Sequence, residues 1–243
     1  MKTSIIKILI VIVSLPFASC AQWDLNKINK TIKETTGKNK PLSNGEIVKG
    51  LKEALTIGSN NSAGAASKTD GFFKHPLIKI PFPPEAKDME QKLRSIGMGK
   101  QVDEFIMTLN RAAEEASKEA GPVFVTAVKQ MTITDGVKIL KGKDDEATQY
   151  LKRTTSTELK NKFTPITKRA IDKVEVTRYW SPLANAYNKI PLVNKVNPDL
   201  DEYVTQKALD GLFYLVAQEE LKIRKDPAAR VTDLLRRVFG SKN

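Results

Sequence analysis

The sequence predicts an all-α fold, built as a single multi-helix domain with one short extended, proline-rich segment at about residues 76–84. Over most of the chain after residue 43, apolar side chains recur every three or four residues, as on the buried face of a helix. Alternation of apolar and polar residues, which indicates a half-buried strand, is nearly absent outside the proline-rich segment. Capping residues precede many of the apolar stretches, and they predict where the helices begin.

The first helix is marked at its start by a capping box. Ser43 is followed three residues later by Glu46, and in such a pair each side chain bonds the backbone N–H of the other residue. Apolar residues then continue at helical spacing as far as Leu55. The stretch from Gly58 to Gly71 is rich in glycine, serine and asparagine, so we expect it to weaken this helix or to form a loop.

The segment that follows is the one non-helical feature of the pattern. Prolines cluster between residues 72 and 84, and proline lacks the backbone N–H that a helix interior requires. Apolar and polar residues alternate around Leu77 to Ile80, which predicts an extended backbone. We expect this segment to cross the helices as a strap or to form the lip of a groove.

Helices are predicted for the rest of the chain. A long amphipathic helix should run from Gly99 to Ala120, and Gly121-Pro122 should break or kink it. The remaining predicted helices are a short one capped by Thr134-Asp135 and ending at Gly142, one begun by Asp144-Asp145 and continuing through Leu159, and three over Pro165–Trp180, Asp199–Ile223 and Asp226–Phe239.

The N-terminus has the pattern of an export signal. Lys2 and Lys7 precede an apolar run over residues 8–17, and Cys20, the single cysteine, follows two small residues. The run is about half the length that a helix needs to span a bilayer, so it predicts a cleaved signal peptide over residues 1–19. The stretch ending at Cys20 resembles a bacterial lipoprotein signal, which implies lipidation of that cysteine and anchoring to the outer membrane.

We therefore expect three parts: the signal peptide, a lipidated N-terminus and polar tether over residues 20–42, and a helical domain over residues 43–240. A second interpretation stays open, because Phe17 stands where a leucine is more usual. Ordinary cleavage after Ala21 would release a soluble periplasmic protein. With Cys20 used as the anchor, the mature chain has no thiol left for a disulfide or for catalysis.

The chain is strongly basic, with a formal net charge of +12. Removal of the signal peptide takes away only two lysines, so the mature chain stays basic. An exported basic protein meets anionic lipid headgroups, envelope polymers and acidic proteins, and we expect no nucleic acid as a partner. A solvated surface that keeps the protein soluble is the simpler explanation of the charge.

Few residues have the pattern of a catalytic site. His75 is the single histidine, and we expect it to pack in the proline-rich loop rather than to act in catalysis or to bind a metal. The acidic cluster at residues 144–146 lacks the spacing of a calcium loop. There is no glycine-rich phosphate loop or nucleophile elbow, so we expect neither a cofactor nor a metal.

Glu219 is the one acid that the sequence predicts to be buried in an apolar helix face. On a helical projection of Asp199–Ile223 it falls near the centre of an apolar face, and a buried carboxylate must be paired or hydrogen-bonded. Plausible partners are Arg111, Arg224 and Arg178. A buried ion pair that fixes the helix register is one interpretation, and a ligand-binding or general-acid carboxylate in a cleft is the other.

Asn110, Arg111 and Glu114 form a second group of candidate ligand-binding residues. They lie along the flank of the alanine-faced helix, at the edge of a possible pocket with alanines 112, 113 and 116 as its floor. The alternative is that they bridge neighbouring helices. Glu220 and Arg224 have the spacing of a surface salt bridge that needs no function.

Several short motifs carry a family resemblance. They are Gly50 to Leu55, Asp70-Gly71-Phe72 running into Ile78 to Pro81, Asn110 to Glu114, Tyr203-Val204-Thr205 leading to Gly211-Leu212-Phe213, Glu219-Glu220 with Ile223-Arg224, and Val238-Phe239-Gly240. In this order they are similar to the bacterial domain of unknown function 4197, from about Leu42 to Gly240. The resemblance implies export, often with a lipoprotein-type signal, and it implies no activity, substrate or catalytic residue.

Two function classes follow from these features. The first is a non-enzymatic envelope lipoprotein, a helical module that is held at the membrane and binds a protein, an anionic polymer or a small apolar ligand. The second is a cell-wall glycan hydrolase or lyase that uses Glu219 as a lone general acid. The absence of an active-site motif favours the first class.

Overall fold

Helices make up nearly all the regular structure of the chain in a computed structural model, which describes residues 42–95, 97–172, 180, 185, 188–189, 191–192, 195–197 and 199–240. No β-strand occurs among these residues, so the prediction of an all-α single domain is confirmed. The predicted signal peptide, Cys20 and Arg178 lie outside the described residues. The helices are α1 (Asn44–Ala66), α2 (Lys87–Ser95), α3 (Gly99–Ser117), α4 (Ala120–Gln130), α5 (Ile133–Lys141), α6 (Glu146–Ile171), α7 (Leu200–Lys225) and α8 (Asp233–Gly240), with 3₁₀ turns at Pro84–Ala86 and Pro227–Ala229.

Helix α1 begins as predicted, with both bonds of the Ser43–Glu46 capping box present. It does not weaken at Gly58 but continues to Ala66, so the expectation of a weakened helix or a loop was wrong for residues 58–66, whereas residues 67–71 do leave the helix. Five small residues of this stretch are buried where α1 packs against α7 and α4, namely Gly58, Ser59, Ser62, Ala63 and Ala66. Their low helix propensity is outweighed because small side chains let neighbouring helices approach closely. A β-carbon at Gly58, for example, would lie 3.4 Å from Cβ of Glu219 on α7.

Helix α6 corrects a second prediction, because it runs unbroken through Pro165. A proline in a helix interior removes one backbone hydrogen bond. Here Pro165 is exposed, and so is Asn161 one turn earlier, so solvent reaches the carbonyl that loses its donor. The opposite side of the helix is anchored, because Phe163 is fully buried and the Thr167 hydroxyl lies 2.9 Å from that of Thr205 on α7.

Other helix boundaries differ from the predictions by a few residues. The chain breaks before Ala120 rather than at Gly121-Pro122, so Pro122 falls in the first turn of α4, where its missing N–H costs little. Thr132, and not Thr134, caps α5 in a capping box with Asp135. Asp226 caps only a 3₁₀ turn, and α8 begins later, at Asp233.

The core lies between α1, α3, α4, α6 and α7. Its largest fully buried side chains are phenylalanines 72, 105, 124 and 163. Trp180 packs on Phe82 and Phe105, with ring centroids 5.6 and 6.0 Å apart, so it belongs to this core. None of the described helices combines the length and the apolar character needed to cross a membrane.

Candidate functional site

The proline-rich segment is a strap, which we define as residues 67–83, and it packs against α3 and α7. It forms turns and no β-strand, yet the predicted alternation holds. Ile78 and Ile80 point into the core, and Leu77 and Lys79 are exposed. The strap also lies against Gly211 of α7, where a β-carbon would come within 2.6 Å of the Phe72 ring.

Asn110 holds the middle of the strap from α3. Its Oδ1 accepts the Ile80 N–H at 2.8 Å, and its Nδ2 donates to the Ile80 carbonyl at 2.8 Å and to the Ile106 carbonyl at 2.7 Å. The fully buried side-chain amide therefore pairs with the Ile80 backbone much as a neighbouring strand would. This contact satisfies a buried donor and acceptor that a loop would otherwise leave unpaired.

Glu114 holds the start of the strap one turn further along α3. Its Oε1 accepts the backbone N–H groups of Phe72 and Phe73 at 3.1 and 3.2 Å, and its Oε2 accepts Arg111 Nη1 at 2.6 Å. Arg111 also donates from Nη2 to Asp70 at 2.6 Å. The side chain of Glu114 is 5% exposed, so this carboxylate is a buried charge whose hydrogen bonds and ion pair compensate its burial.

The ion pairs around Asp70 shift two pKa values. Hydrogen bonds from Lys74 and Arg111 lower the pKa of Asp70, and hydrogen bonds to Glu114 and Asp70 raise that of Arg111. Asp70 has a positive φ of 68°, an unusual backbone conformation for a residue other than glycine. The ion pairs therefore hold a tight turn of the strap in place.

Asn110, Arg111 and Glu114 thus come together, as the sequence suggested, but their contacts are with the strap. The alanines expected as a pocket floor are fully buried in the core. Bridging between elements accounts for the bonds of these side chains, and the bridged element is the strap rather than a neighbouring helix. Their role in ligand binding stays a prediction.

Glu219 lies apart from this group, at the contact of α7 with α1. Its side chain is 20% exposed, and it accepts hydrogen bonds from Lys222 Nζ at 2.6 Å and Asn61 Nδ2 at 3.0 Å. Partial burial raises its pKa, but the bonds from Lys222 and Asn61 outweigh that effect and leave the pKa below its ordinary value. Its bonding partners are therefore neither Arg111 nor Arg224, which corrects the pairing expected from the sequence.

The buried acid of α7 is the next residue, Glu220, whose side chain is 5% exposed. It accepts the backbone N–H groups of Ala147 and Thr148 at 3.0 and 2.8 Å and the Thr148 hydroxyl at 2.8 Å, all in the first turn of α6. Arg224 donates to it from Nε and Nη2 at 3.0 and 2.8 Å. The prediction of a surface salt bridge was wrong, because this pair lies inside the contact between α6 and α7.

The packing of α6 against α7 explains this error. Consecutive helical residues are about 100° apart, and the apolar periodicity of α7 placed Glu219 near the centre of the apolar face and favoured a surface position for Glu220. Asp145, at the start of α6, makes no side-chain capping bond. Without a partner from elsewhere, the N-terminal amides of α6 would be unsatisfied. A carboxylate from another helix supplies the missing cap, and only tertiary structure shows which acid reaches it.

A narrow apolar cleft, which sequence analysis missed, lies between α1, α6, α7 and α8. The cavity inside the cleft has a volume of about 20 Å³. The wider space between its walls, which includes a part open to solvent, is about 340 Å³. The lining residues are Leu51, Ala54, Leu55, Gly58, Ser59, Ala147, Val216, Glu220, Ile223, Arg224 and Phe239. The only hint in the sequence was the run of small residues near Gly58, which predicted a weakened helix or a loop instead of a cleft.

Ser59 distinguishes this cleft from ordinary packing space. The residue is 1% exposed, and its Oγ is the one buried side-chain nitrogen or oxygen in the described part of the chain without a hydrogen-bond partner. Buried polar atoms are nearly always hydrogen-bonded in folded proteins. An unpaired hydroxyl in an apolar cleft is therefore a candidate contact for a ligand.

The remaining candidates have structural contacts. His75 Nδ1 accepts the backbone N–H groups of Leu77 and Ile78 at 3.2 and 3.3 Å, so this histidine packs within the strap. Asp144, in the acidic cluster before α6, is paired with Lys225 at 2.6 Å. Among the described residues, no three histidine, cysteine or acidic side chains are grouped so that they could hold a metal ion.

The fold and the site define an all-helical domain in which buried polar side chains hold a strap against one helix pair, and a narrow apolar cleft lies beside another. The chain belongs to the family described as protein of unknown function (DUF4197), whose profile matches residues 41–240. No curated protein and no solved structure matches the chain. The family resemblance seen in the sequence motifs is thereby confirmed.

Proposed function

We propose that this protein is a lipid-anchored, non-enzymatic binding module of the bacterial envelope, attached to the outer membrane through Cys20. Its helical domain binds a small apolar ligand in the cleft between α1, α6, α7 and α8. The observation that carries this proposal is the unpaired Ser59 hydroxyl in an otherwise apolar lining. Apolar pockets with a small number of convergent polar groups are typical of ligand sites.

The hydrogen bonding of the acids favours this proposal over the alternative of a glycan hydrolase or lyase. A general acid at neutral pH needs a raised pKa, and that of Glu219 is lowered. Both oxygens of Glu220 are occupied by backbone amides, a hydroxyl and Arg224. Both oxygens of Glu114 are likewise occupied, by the strap and by Arg111. In these contacts the three carboxylates stabilise the fold, and none of them has the environment of a general acid.

The sequence supports the anchor. A short apolar run, two small residues and Cys20 have the order of a lipoprotein signal. Lipidation with more than one acyl chain would hold the domain at the membrane, since each buried methylene contributes about 0.8 kcal/mol. The basic surface of the mature chain would add attraction to anionic headgroups.

The anchor is tested by replacing Cys20 with serine and following the protein through envelope fractionation and labelling with a radioactive fatty acid. The unchanged chain should carry label and stay with the outer membrane, and Cys20→Ser should carry none. Ser19→Ala, which keeps a small residue before the cysteine, is the matched control and should behave as the unchanged chain. Recovery of the unchanged chain, unlabelled, in the soluble periplasm would overturn the anchor and establish cleavage after Ala21.

The binding role is tested by native mass spectrometry of the protein recovered from the envelope without denaturation. A discrete additional mass, lost when Ala54 in the cleft is replaced by leucine, is the expected result. A mass that is retained in the Ala54→Leu variant would place the ligand elsewhere. A ligand-free chain that also releases no small molecule on extraction would overturn the proposal.

A further inference from the structure

We infer that the domain lies on anionic lipid headgroups through the face where α5 begins, with the Ile133 side chain entering the bilayer interface. We define this α5 face as Ile133 and four cations near it, Lys52, Lys129, Lys138 and Arg153. The inference rests on the proposed function, because it names the surface with which the anchored domain meets the membrane. Three observations support it: the exposure of Ile133, the excess of positive charge around it, and the position of this face relative to the anchor.

The first observation is that the fold exposes an apolar side chain at the start of α5. Ile133 is the first residue of this helix and is 56% exposed. Thr132 and Asp135 form the capping box around it, so the backbone that presents this side chain is held in place. A single exposed isoleucine is ordinary on a protein surface, and the charges near it decide what this face can bind.

The second observation is the positive charge of this face, which comes from four helices. Lys52 on α1 donates to the Lys129 carbonyl at the end of α4 at 2.8 Å, so both lysines lie at that helix end. Lys129 is exposed and stands four residues before Ile133, across the short turn that joins α4 to α5. A carbonyl acceptor leaves the charge of Lys52 uncompensated, so both lysines add to the charge of the face.

Two further cations lie near the first turn of α5. Hydrogen bonds from Thr132 have the largest effect on Asp135 and lower its pKa. The charges of Arg153 on α6 and Lys138 on α5 lower this pKa further, so both cations lie close to Asp135. Both of these basic side chains are exposed to solvent.

The acids near these cations leave most of the positive charge in place. Asp135 is the acid of the capping box and bonds Thr132. On α1, Glu53 follows Lys49 by one turn, so these two charges offset each other. Basic residues around an exposed apolar side chain are typical of surfaces that bind anionic membranes.

The third observation is that this face lies at the end of the domain that the anchor joins. Helix α5 packs on the start of α1, where a β-carbon at Gly136 would lie 2.6 Å from Val48. The chain from Cys20 enters the domain at Leu42, six residues before Val48. The strap, with its exposed Leu77, follows the other end of α1, a helix about 34 Å long. This position favours a lipid surface over an acidic protein as the occupant of the α5 face.

The test is fluorescence quenching of the mature protein, recovered from the envelope and reconstituted into vesicles of phosphatidylcholine and phosphatidylglycerol. Neither lipidation of Cys20 nor cleavage after Ala21 leaves a thiol in the mature chain, so Ile133→Cys takes a single environment-sensitive fluorophore. Spin-labelled lipids should quench this fluorophore, and a spin label near the headgroup should act more strongly than one at the end of the acyl chain. Leu77→Cys is the matched control, because this leucine is also exposed, and its fluorophore should stay unquenched. Equal quenching at the two positions, or none at residue 133, would overturn the inference.

Charge variants of the labelled protein test the attraction to anionic lipid. Lys129→Gln with Lys138→Gln should lower the ratio of docked to undocked domain about tenfold or more, because one basic side chain near an anionic surface contributes roughly a factor of five. Lys68→Gln with Lys79→Gln removes the same charge from exposed positions of the strap and should change that ratio by less than about twofold, since distant surface charges are screened. Equal effects of the two pairs, or equal quenching on vesicles of phosphatidylcholine alone, would overturn the role of these cations. Melting temperatures show whether each variant keeps the fold.

The outcome for this face is separate from that for the anchor. A chain that stays in the vesicles with an unquenched fluorophore at residue 133 would overturn this inference alone, and an acidic protein or an envelope polymer would then be the candidate partner. A mature chain without lipid would overturn the anchor. The same labelled chain, added to the vesicles from solution, would then still test the α5 face by quenching.

Discussion

Glu220 and Arg224, one turn apart on α7, form hydrogen bonds with the helix ends on both sides of the loop between α5 and α6. Glu220 accepts the first free amides of α6, and Arg224 donates to the Ile139 carbonyl in the last turn of α5. A negative charge thus lies at a helix N-terminus and a positive charge at a helix C-terminus, which is the favourable arrangement for both helix dipoles. The pair joins three helices through buried hydrogen bonds.

This arrangement predicts that Glu220→Gln is strongly destabilising. The substitution leaves Arg224 buried without its counter-charge and replaces one of the two accepting oxygens by an NH2 group, which cannot accept a bond from the α6 amides, so we expect the free energy of unfolding to fall by about 3 kcal/mol. Urea denaturation followed by circular dichroism measures this change. Glu219→Gln is the matched control, since that acid is partly exposed and its loss should cost about 0.5 kcal/mol. Equal losses in the two variants would contradict the distinction between the two acids.

The close packing of the strap on α7 predicts opposite effects for two glycine substitutions. Gly211→Ala would place a β-carbon 2.6 Å from Phe72 and 3.0 Å from Ile78, so we expect destabilisation of about 1–3 kcal/mol. Gly64→Ala on α1 meets nothing within 4 Å and should stabilise the protein by about 0.5–1 kcal/mol through helix propensity. The melting temperatures of both variants check this, and a stabilising Gly211→Ala would show that the strap does not pack as described.

The contacts of Glu114 predict a local effect on the strap. Glu114→Ala should increase hydrogen exchange at the amides of Phe72 and Phe73 by about tenfold or more, because both lose a charged acceptor. Glu115→Ala removes the adjacent, exposed acid, which bonds Lys118, and should leave exchange at those amides unchanged. A similar rise in exchange across the whole core would indicate global destabilisation instead of release of the strap.

The lowered carboxyl pKa values predict loss of stability in acid. The Thr132 hydroxyl, followed by the Thr132 backbone N–H, lowers the pKa of Asp135, and that of Asp70 is also lowered. A carboxyl with a lower pKa in the folded state binds fewer protons than in the unfolded chain, so its stabilisation is present at neutral pH and is lost as pH falls through the folded pKa. The melting temperature should therefore decline below about pH 5.

Asp135→Asn checks this assignment, because it removes a titrating group without changing the shape of the cap. The difference in melting temperature between pH 6 and pH 3 should be smaller in this variant than in the unchanged chain. Thr132→Ala, which removes the hydroxyl that lowers the pKa, should reduce the difference as well. An unchanged acid dependence in both variants would show that other carboxyls are responsible.

Part of the candidate site was visible in the sequence. Asn110, Arg111 and Glu114 share one flank of α3, and local periodicity predicted that they would act together. Their partners lie some thirty to forty residues away in the strap, and periodicity has no information about which distant backbone groups they satisfy. For the same reason Glu219 was chosen over Glu220, because the α6 amides that select the buried acid are about seventy residues distant in sequence.

Local patterns were sufficient for the all-α class, for the capping box at Ser43 and for the alternation within the strap, because these depend on neighbours within a few residues. Tertiary structure decided the rest. Burial against α7 kept α1 helical through Gly58, an exposed position let α6 pass through Pro165, and the meeting of four helices left Ser59 unpaired in an apolar cleft. At Gly58 the free energy of burial between residues distant in sequence exceeds local propensity, and the other two outcomes depend on where each residue lies in the packed fold.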